Sequence, residues 1–241
     1  MSDIPILFSA PMIAALLAGR KTQTRRVINF PGVDDVVDFV CIGTDTKTGV
    51  PVFEMKDATG RHLTRPVGKG CASPHYSPRF AKGDRLWVRE TVACGACALG
   101  KPSHWAPSFW RREQGTPKNP NGLWYAADDL APEKPITDRG RWVPGIHMPR
   151  WASRLTLTVT DVRVQRLQEC SAVDSIAEGA QCSTCEAMKT LACRDGGCFA
   201  SMAAFRDIWE NINGAGAWAA NPWVCAISFE VHRRNIDEGA R

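Results

Sequence analysis

The sequence lacks any uninterrupted apolar run of about 18 residues, the length a membrane-spanning helix needs, so no membrane span is expected. It also lacks an export signal of the usual form. Ile4 to Leu17 is apolar enough to imitate one, but Asp3 precedes it where basic residues would stand, and Pro5 and Pro11 interrupt it. That segment is expected to belong to the folded protein, and the chain to be cytoplasmic. No internal repeat or low-complexity tract is present, which excludes a solenoid. There is no Walker loop, no GxGxxG and no Ser/His/Asp order. No organic cofactor is expected.

What the chain does hold is an ordinary globular composition with a mild basic bias. Its 241 residues fit one large domain, and 44% of them are apolar, enough to bury a core. Net charge is +5, from 30 basic and 25 acidic side chains. The distribution says more than the total. Arg20, Lys21, Arg25 and Arg26 fall within seven positions, and Arg139, Arg141, Arg150 and Arg154 form a second group. Either group suits an anion-binding face; the plain alternative is a solvated surface or a charged strand edge that resists aggregation.

Residues 11–18 read as a short helix, with Pro11 at its first position and Gly19 just past its end. The threonines of Gly19–Arg26 favour extended chain. Val36–Ile42, Val50–Met55, Arg85–Glu90 and Leu123–Ala126 read as strands. In Leu155–Val164, Leu155, Leu157 and Val159 alternate with Thr156, Thr158 and Thr160, the mark of a strand with one apolar face. Ser171 and Asp174 have the form of a capping box opening a helix that Gly179 closes. Met202, Phe205, Trp209 and Ile212 recur at helical spacing within Phe199–Ile212. Trp223–His232 alternates as a half-buried closing strand. Helices and strands do not alternate regularly, which points to an α+β fold, a mixed barrel with flanking helices, rather than a doubly wound sheet. A single domain, residues 1–241, is expected, with insertions at about 28–80, 92–122 and 180–198.

Ten cysteines in a chain without an export signal point to metal rather than disulfides. Cys182, Cys185, Cys193 and Cys198 lie within seventeen residues and open with CxxC, which fits a closed tetrahedral thiolate site for structural zinc. Such a site would stabilise an insertion too small for its own core. Cys94 and Cys97 form a second CxxC, so Cys94, Cys97, Cys182 and Cys185 are an alternative ligand set. Cys41, Cys71, Cys170 and Cys225 stand in apolar or strand contexts and read as core thiols. Nine tryptophans are many for this length. Trp209 and Trp223 fit core faces. Trp105, Trp110 and Trp124 lie in or beside a Pro/Gly-rich stretch, where they could stack on bases or fold that stretch down.

Several strings are longer and less common than these patterns: GRKTQTRR (19–26), KGDRLWVRE (82–90), PGIHMPRWASRLTLTVTDVRVQRLQE (144–169), the helix around IAEG (176–179), and FRDIWENINGAGAW with ANPWV towards the end. Together they resemble ASCH-domain proteins of the tailed-phage and prophage type. The resemblance covers the first thirty residues, residues 82–91 and most of 142–232. It implies a PUA-like β-barrel, a fold whose members commonly bind RNA or modified nucleobases. The basic cleft it implies would be lined by Lys21, Thr24, Arg26 and Glu178. Arg20, Arg25, Arg89, His147, Arg150 and Trp151 would be further contacts to the nucleic acid.

One enzyme branch of that superfamily hydrolyses the acetyl amide of N4-acetylcytidine. It uses a lysine and a threonine of a GRKT-x-T-x-R string and a glutamate of a later helix. Carried over, these are Lys21, Thr24 and Glu178. The chemistry is coherent: a base must take the threonine proton, and an acid must protonate the leaving amine. A lysine base would have to be neutral, far below its usual pKa of about 10.4. In a regular strand Lys21 and Thr24 would face opposite ways, so Lys21 must sit in the preceding turn or the chain must bend. Other relatives are suggested ribonucleases, and a non-catalytic phage accessory role is a third possibility.

Overall fold

The computed structural model describes residues 2–28, 36, 38–45, 50–63, 65–67, 70–72, 75–94, 123–129, 142–180 and 199–239. The fold is α+β. The chain divides into two compact units, one of Thr22–Asp84 with Val159–Glu230, the other of Ser2–Lys21, Arg85–Thr158 and Val231–Arg241. They are called unit 1 and unit 2.

In unit 2, β1 (Asp3–Leu7) runs parallel to β8 (Arg85–Arg89), with Asp3 opposite Arg85 and Leu7 opposite Arg89. β8 pairs antiparallel with the first residues of β11 (Thr156–Arg166), Thr156 opposite Trp87. Between β1 and the end of this segment lies α1 (Ala10–Leu17). Its first turn carries Pro11, and Gly19, at φ +71°, ends it. The N–H groups of Arg20 and Lys21 then both turn back to the Ala15 carbonyl. β9 (Val92–Cys94) and β10 (Leu123–Tyr125) form a short antiparallel pair. Val92 and Leu123 bury a cluster with Met148 and Ala152, flanked by Tyr125 and Trp151. Gly145 is forced by space: a Cβ there would stand 2.7 Å from Leu7 Cδ1 and 3.0 Å from the Glu90 backbone.

In unit 1, β12 (Trp223–His232) lies between β11 and β2 (Gln23–Val27). β2 pairs antiparallel with β12, from Val27 opposite Val224 to Gln23 opposite Ser228. α2 (Ala172–Ala177) is capped as its sequence requires: Ser171 Oγ accepts the Asp174 N–H, and the Asp174 carboxylate accepts the Ser171 N–H. α3 (Phe199–Asn213) packs Phe205 and Trp209 on Leu167, Cys170, Ala180 and Val224. The expected insertion over 28–80 contains β3 (Asp38–Thr44), β4 (Pro51–Lys56), β5 (Arg65–Val67), β6 (Gly70–Ala72) and β7 (His75–Tyr76). They form a sheet of order β3-β4-β7 and a separate β5-β6 pair. Among the described residues each sheet is open.

Three readings of the sequence need correction. The closing strand does not alternate between buried and exposed over Val224, Cys225, Ala226 and Ile227: all four are buried, in a strand that is interior to its sheet between β11 and β2. Cys41 is exposed rather than a core thiol, since β3 is an edge strand, whereas Cys170 and Cys225 are buried. Ile212 is 54% exposed, in the last turn of α3 beyond the contacts of Phe205 and Trp209. Among the described residues no helix is long and apolar enough to cross a membrane.

Candidate functional site

Strand alternation sorts the basic motif. In β2, Gln23 and Arg25 share one face and Thr24 and Arg26 the other. β2 is the last strand of its sheet, where a solvated charged edge would be the plain outcome. The Arg25 side chain is instead fully enclosed, with 0% exposure. Opposite it on β12 stands Ala226, small enough to leave room for a guanidinium. Gln23 and Thr24 are also buried, and Arg26 is half-buried.

Arg25 is held from three directions. Its Nη1 donates to Gln23 Oε1 at 2.7 Å and to Glu178 Oε1 at 3.1 Å. Its Nη2 lies 3.3 Å from an oxygen of Asp174. The guanidinium sits over the Phe205 ring, 5.6 Å from its centroid. The Gln23 amide donates to Ser228 Oγ at 3.0 Å. Yet among the described residues Nε and Nη2 of Arg25 have no hydrogen-bond partner although both are buried, so the Asp174 contact is an ion pair without hydrogen-bond alignment. A buried arginine with two unused donors is an unfinished polar site.

The two acids come from the two ends of one short helix. Asp174 is in the first turn of α2 and Glu178 is its C-cap residue. Burial would push the Asp174 carboxyl up. Hydrogen bonds from Arg163 and Ser171, with the Arg25 charge, outweigh it and hold the pKa down at about 2. Burial lowers the pKa of Arg26, and the nearby Glu178 charge opposes this.

Lys21 lies outside β2, in the turn after α1. It is completely buried, with its Nζ 5.8 Å from the Phe8 ring centroid. A fully buried lysine is rare among soluble proteins.

The remaining expected contacts belong to unit 2 and are largely engaged. Arg89 donates to the Gly145 carbonyl at 2.9 Å and covers the Trp87 ring. Arg150 is paired with Asp3 and Asp237, and Asp3 also takes both forks of Arg85 at 2.8 Å. His147 is exposed, on a 3-10 turn over Gly145–His147. Trp151 is half-buried, on the next such turn, Arg150–Ala152. Arg20 is half-buried.

Cys97, Cys182, Cys185, Cys193 and Cys198 lie outside the described residues, as do Arg139, Arg141, Trp105 and Trp110, and of Cys94 only the backbone is described. Among the described residues no group of three or more His, Cys, Asp or Glu is placed to hold a metal. Sequence reasoning did not single out Gln23 or Ser228 as site residues, and gave Asp174 only a capping role. The signal for Gln23 was available: it sits two positions from Arg25, and therefore on its face. No family model, curated protein or solved structure matches the chain.

Proposed function

We propose that the protein binds a nucleic acid or a modified nucleoside, as a PUA-like member of the ASCH superfamily. The observation that carries this reading is the buried Arg25, whose Nε and Nη2 have no hydrogen-bond partner among the described residues, set between Glu178 and Asp174 and beside Gln23. A polar cluster of this kind offers both donors and acceptors at a dry site, the chemistry that recognises a nucleobase edge. It is a poor match for a role in solubility alone, because a guanidinium serving only to charge an edge would remain in water. The resemblance adds that the basic string and the acid of the later helix belong to one binding cleft in such proteins. Titration of fluorescent short RNAs over a range of salt concentrations tests this reading. Steep salt dependence marks phosphate contacts. Weak RNA binding with salt-insensitive binding of a free nucleoside narrows the ligand to a nucleoside.

A second reading is a hydrolase acting on N4-acylated cytidine through Lys21, Thr24 and Glu178. It is favoured by the complete burial of Lys21. A lysine that merely grips backbone phosphate keeps its head in solvent, whereas one that acts on an enclosed group does not. Structural zinc on Cys182, Cys185, Cys193 and Cys198 belongs to the same proposal. Metal analysis of the purified chain, with Cys182→Ser alongside, tests it.

A further inference from the structure

Unit 2 contains a cavity of about 230 Å³ that uses none of the Arg25 cluster. One wall is Tyr125 on β10 and Trp151, another is Arg154, and the third is the segment after β12, with Arg233, Arg234 and Glu238.

The walls are fixed before any ligand arrives. A single amide, Asn235 Nδ2, lies within 2.7–3.2 Å of three carbonyls, those of Arg150, Trp151 and Ser153. This ties the turn carrying Trp151 to the segment carrying Arg233 and Arg234. Tyr125 Oη donates to the Ala152 carbonyl at 2.9 Å. Arg154 grips buried Glu90 with two parallel bonds of 2.9 and 3.0 Å, donates to Asp128 at 2.8 Å, and covers the Tyr125 ring at 4.0 Å. With two carboxylates on it, Arg154 is a neutralised wall. The charge available to a ligand therefore rests on Arg233 and Arg234.

Neither of those two is paired with a carboxylate among the described residues. Arg233 donates to the neutral carbonyl of Leu17, and among the described residues no carboxylate compensates its charge. Among the described residues the Arg234 guanidinium has no hydrogen bond or ion pair, while its carbonyl accepts from Thr156 Oγ1 and anchors the backbone. Arg233 and Arg234, adjacent in the chain and both exposed, line the pocket together with Trp151. Glu238, the one acid in the wall, accepts the Asn235 N–H at 3.3 Å.

We infer that this cavity binds a phosphate monoester, with Arg233 and Arg234 on the phosphate and Trp151 beside the group that bears it. A phosphate monoester is a dianion near neutral pH and can occupy two guanidinium forks at once. At about 230 Å³ the space lies below the usual range for drug-sized ligands. It suits one phosphorylated end rather than a whole extended ligand. A free mononucleotide and a 5′-phosphorylated RNA terminus share that chemistry.

Calorimetric titration of the full chain separates the cases. The probes are inorganic phosphate, cytidine, cytidine 5′-monophosphate, and one short oligoribonucleotide with and without a 5′-phosphate. Arg234→Gln is the variant of choice, because its guanidinium supports no other group. Binding of the monophosphate but not of cytidine, weakened roughly tenfold or more by Arg234→Gln, supports the site with a free nucleotide as ligand. Binding confined to the 5′-phosphorylated RNA, with the same loss in the variant, supports it with an RNA end as ligand. Equal binding of phosphorylated and unphosphorylated probes overturns the inference. So does phosphate-dependent binding that Arg234→Gln leaves intact, or no binding of any probe at millimolar concentration. Arg234→Gln should leave binding of N4-acetylcytidine unchanged, so failure here and failure of the proposed function are distinguishable.

Discussion

Arg25 in unit 1 and Arg150 in unit 2 each stand between two carboxylates, and the resemblance assigns both to ligand contact. Their surroundings differ. The Arg25 side chain is 0% exposed and retains unused donors, whereas that of Arg150 is 37% exposed and tied to Asp3 and Asp237. In the buried case the charges have already left water, so removing one partner strands the others. In the exposed case water replaces whatever is lost. Motif membership therefore says little about what an arginine does. Burial and unused hydrogen-bonding capacity say more.

The sharpest way to break this comparison is Arg25→Met. It leaves Glu178 and Asp174 without their shared cation, and we expect a loss of about 3–5 kcal/mol in chemical denaturation. A loss comparable to that of Arg150→Ala would remove the distinction between the two sites.

Arg154→Ala is the intermediate case. Burial already holds the Glu90 pKa above the usual carboxylate range, against the pull of Arg154. Without Arg154 it rises further. A carboxyl whose folded pKa lies above its unfolded value loses stability as pH rises between the two. The variant should therefore be destabilised by about 2–3 kcal/mol at pH 8 and by less at pH 5. A pH-independent loss would show that Glu90 is not the stranded group.

Asp174 has the opposite sign. Its folded pKa of about 2 lies below the ordinary aspartate value of 3.8, so its contribution is present above pH 4 and is lost as pH falls towards 2. Solvent at this partly buried carboxylate screens its partners, so Asp174→Asn should flatten the acid limb of the stability curve by about 1 kcal/mol. An unchanged acid limb would mean the carboxylate is not held as described.

The smallest effect is that of Arg150→Ala, expected at or below about 1 kcal/mol because its side chain is partly in water. A thiol probe addresses the fold independently. In the native protein alkylation should reach Cys41 readily. Cys225, whose pKa is pushed up to about 12 by burial, should react only after unfolding. Peptide mapping that finds Cys225 modified first would contradict the core around β12.

Much of this fold could be read from the sequence where a local signal agrees with its setting. The capping box of Ser171 and Asp174, the glycine after α1, and the threonine alternation of β11 are such signals. β1 was not legible, because Pro5 argues against a strand. The proline is tolerated since β1 lies at the edge of its sheet, paired on one side with β8. The exposure of Cys41 followed from sheet order, which no local pattern encodes. The site was legible as separate groups. Arg25 and Glu178 are 153 positions apart, and only the packing of α2 on β2 makes them a pair.

The most direct test of the proposed binding site is a mass-spectrometric screen of the folded protein against modified nucleosides and short RNAs, N4-acetylcytidine among them, with Lys21→Ala run in parallel. We expect retention or conversion of a nucleoside or RNA by the unmodified chain and its loss in a folded Lys21→Ala. If neither protein retains or converts any member of the panel, the buried polar cluster is not a nucleoside or nucleic-acid site.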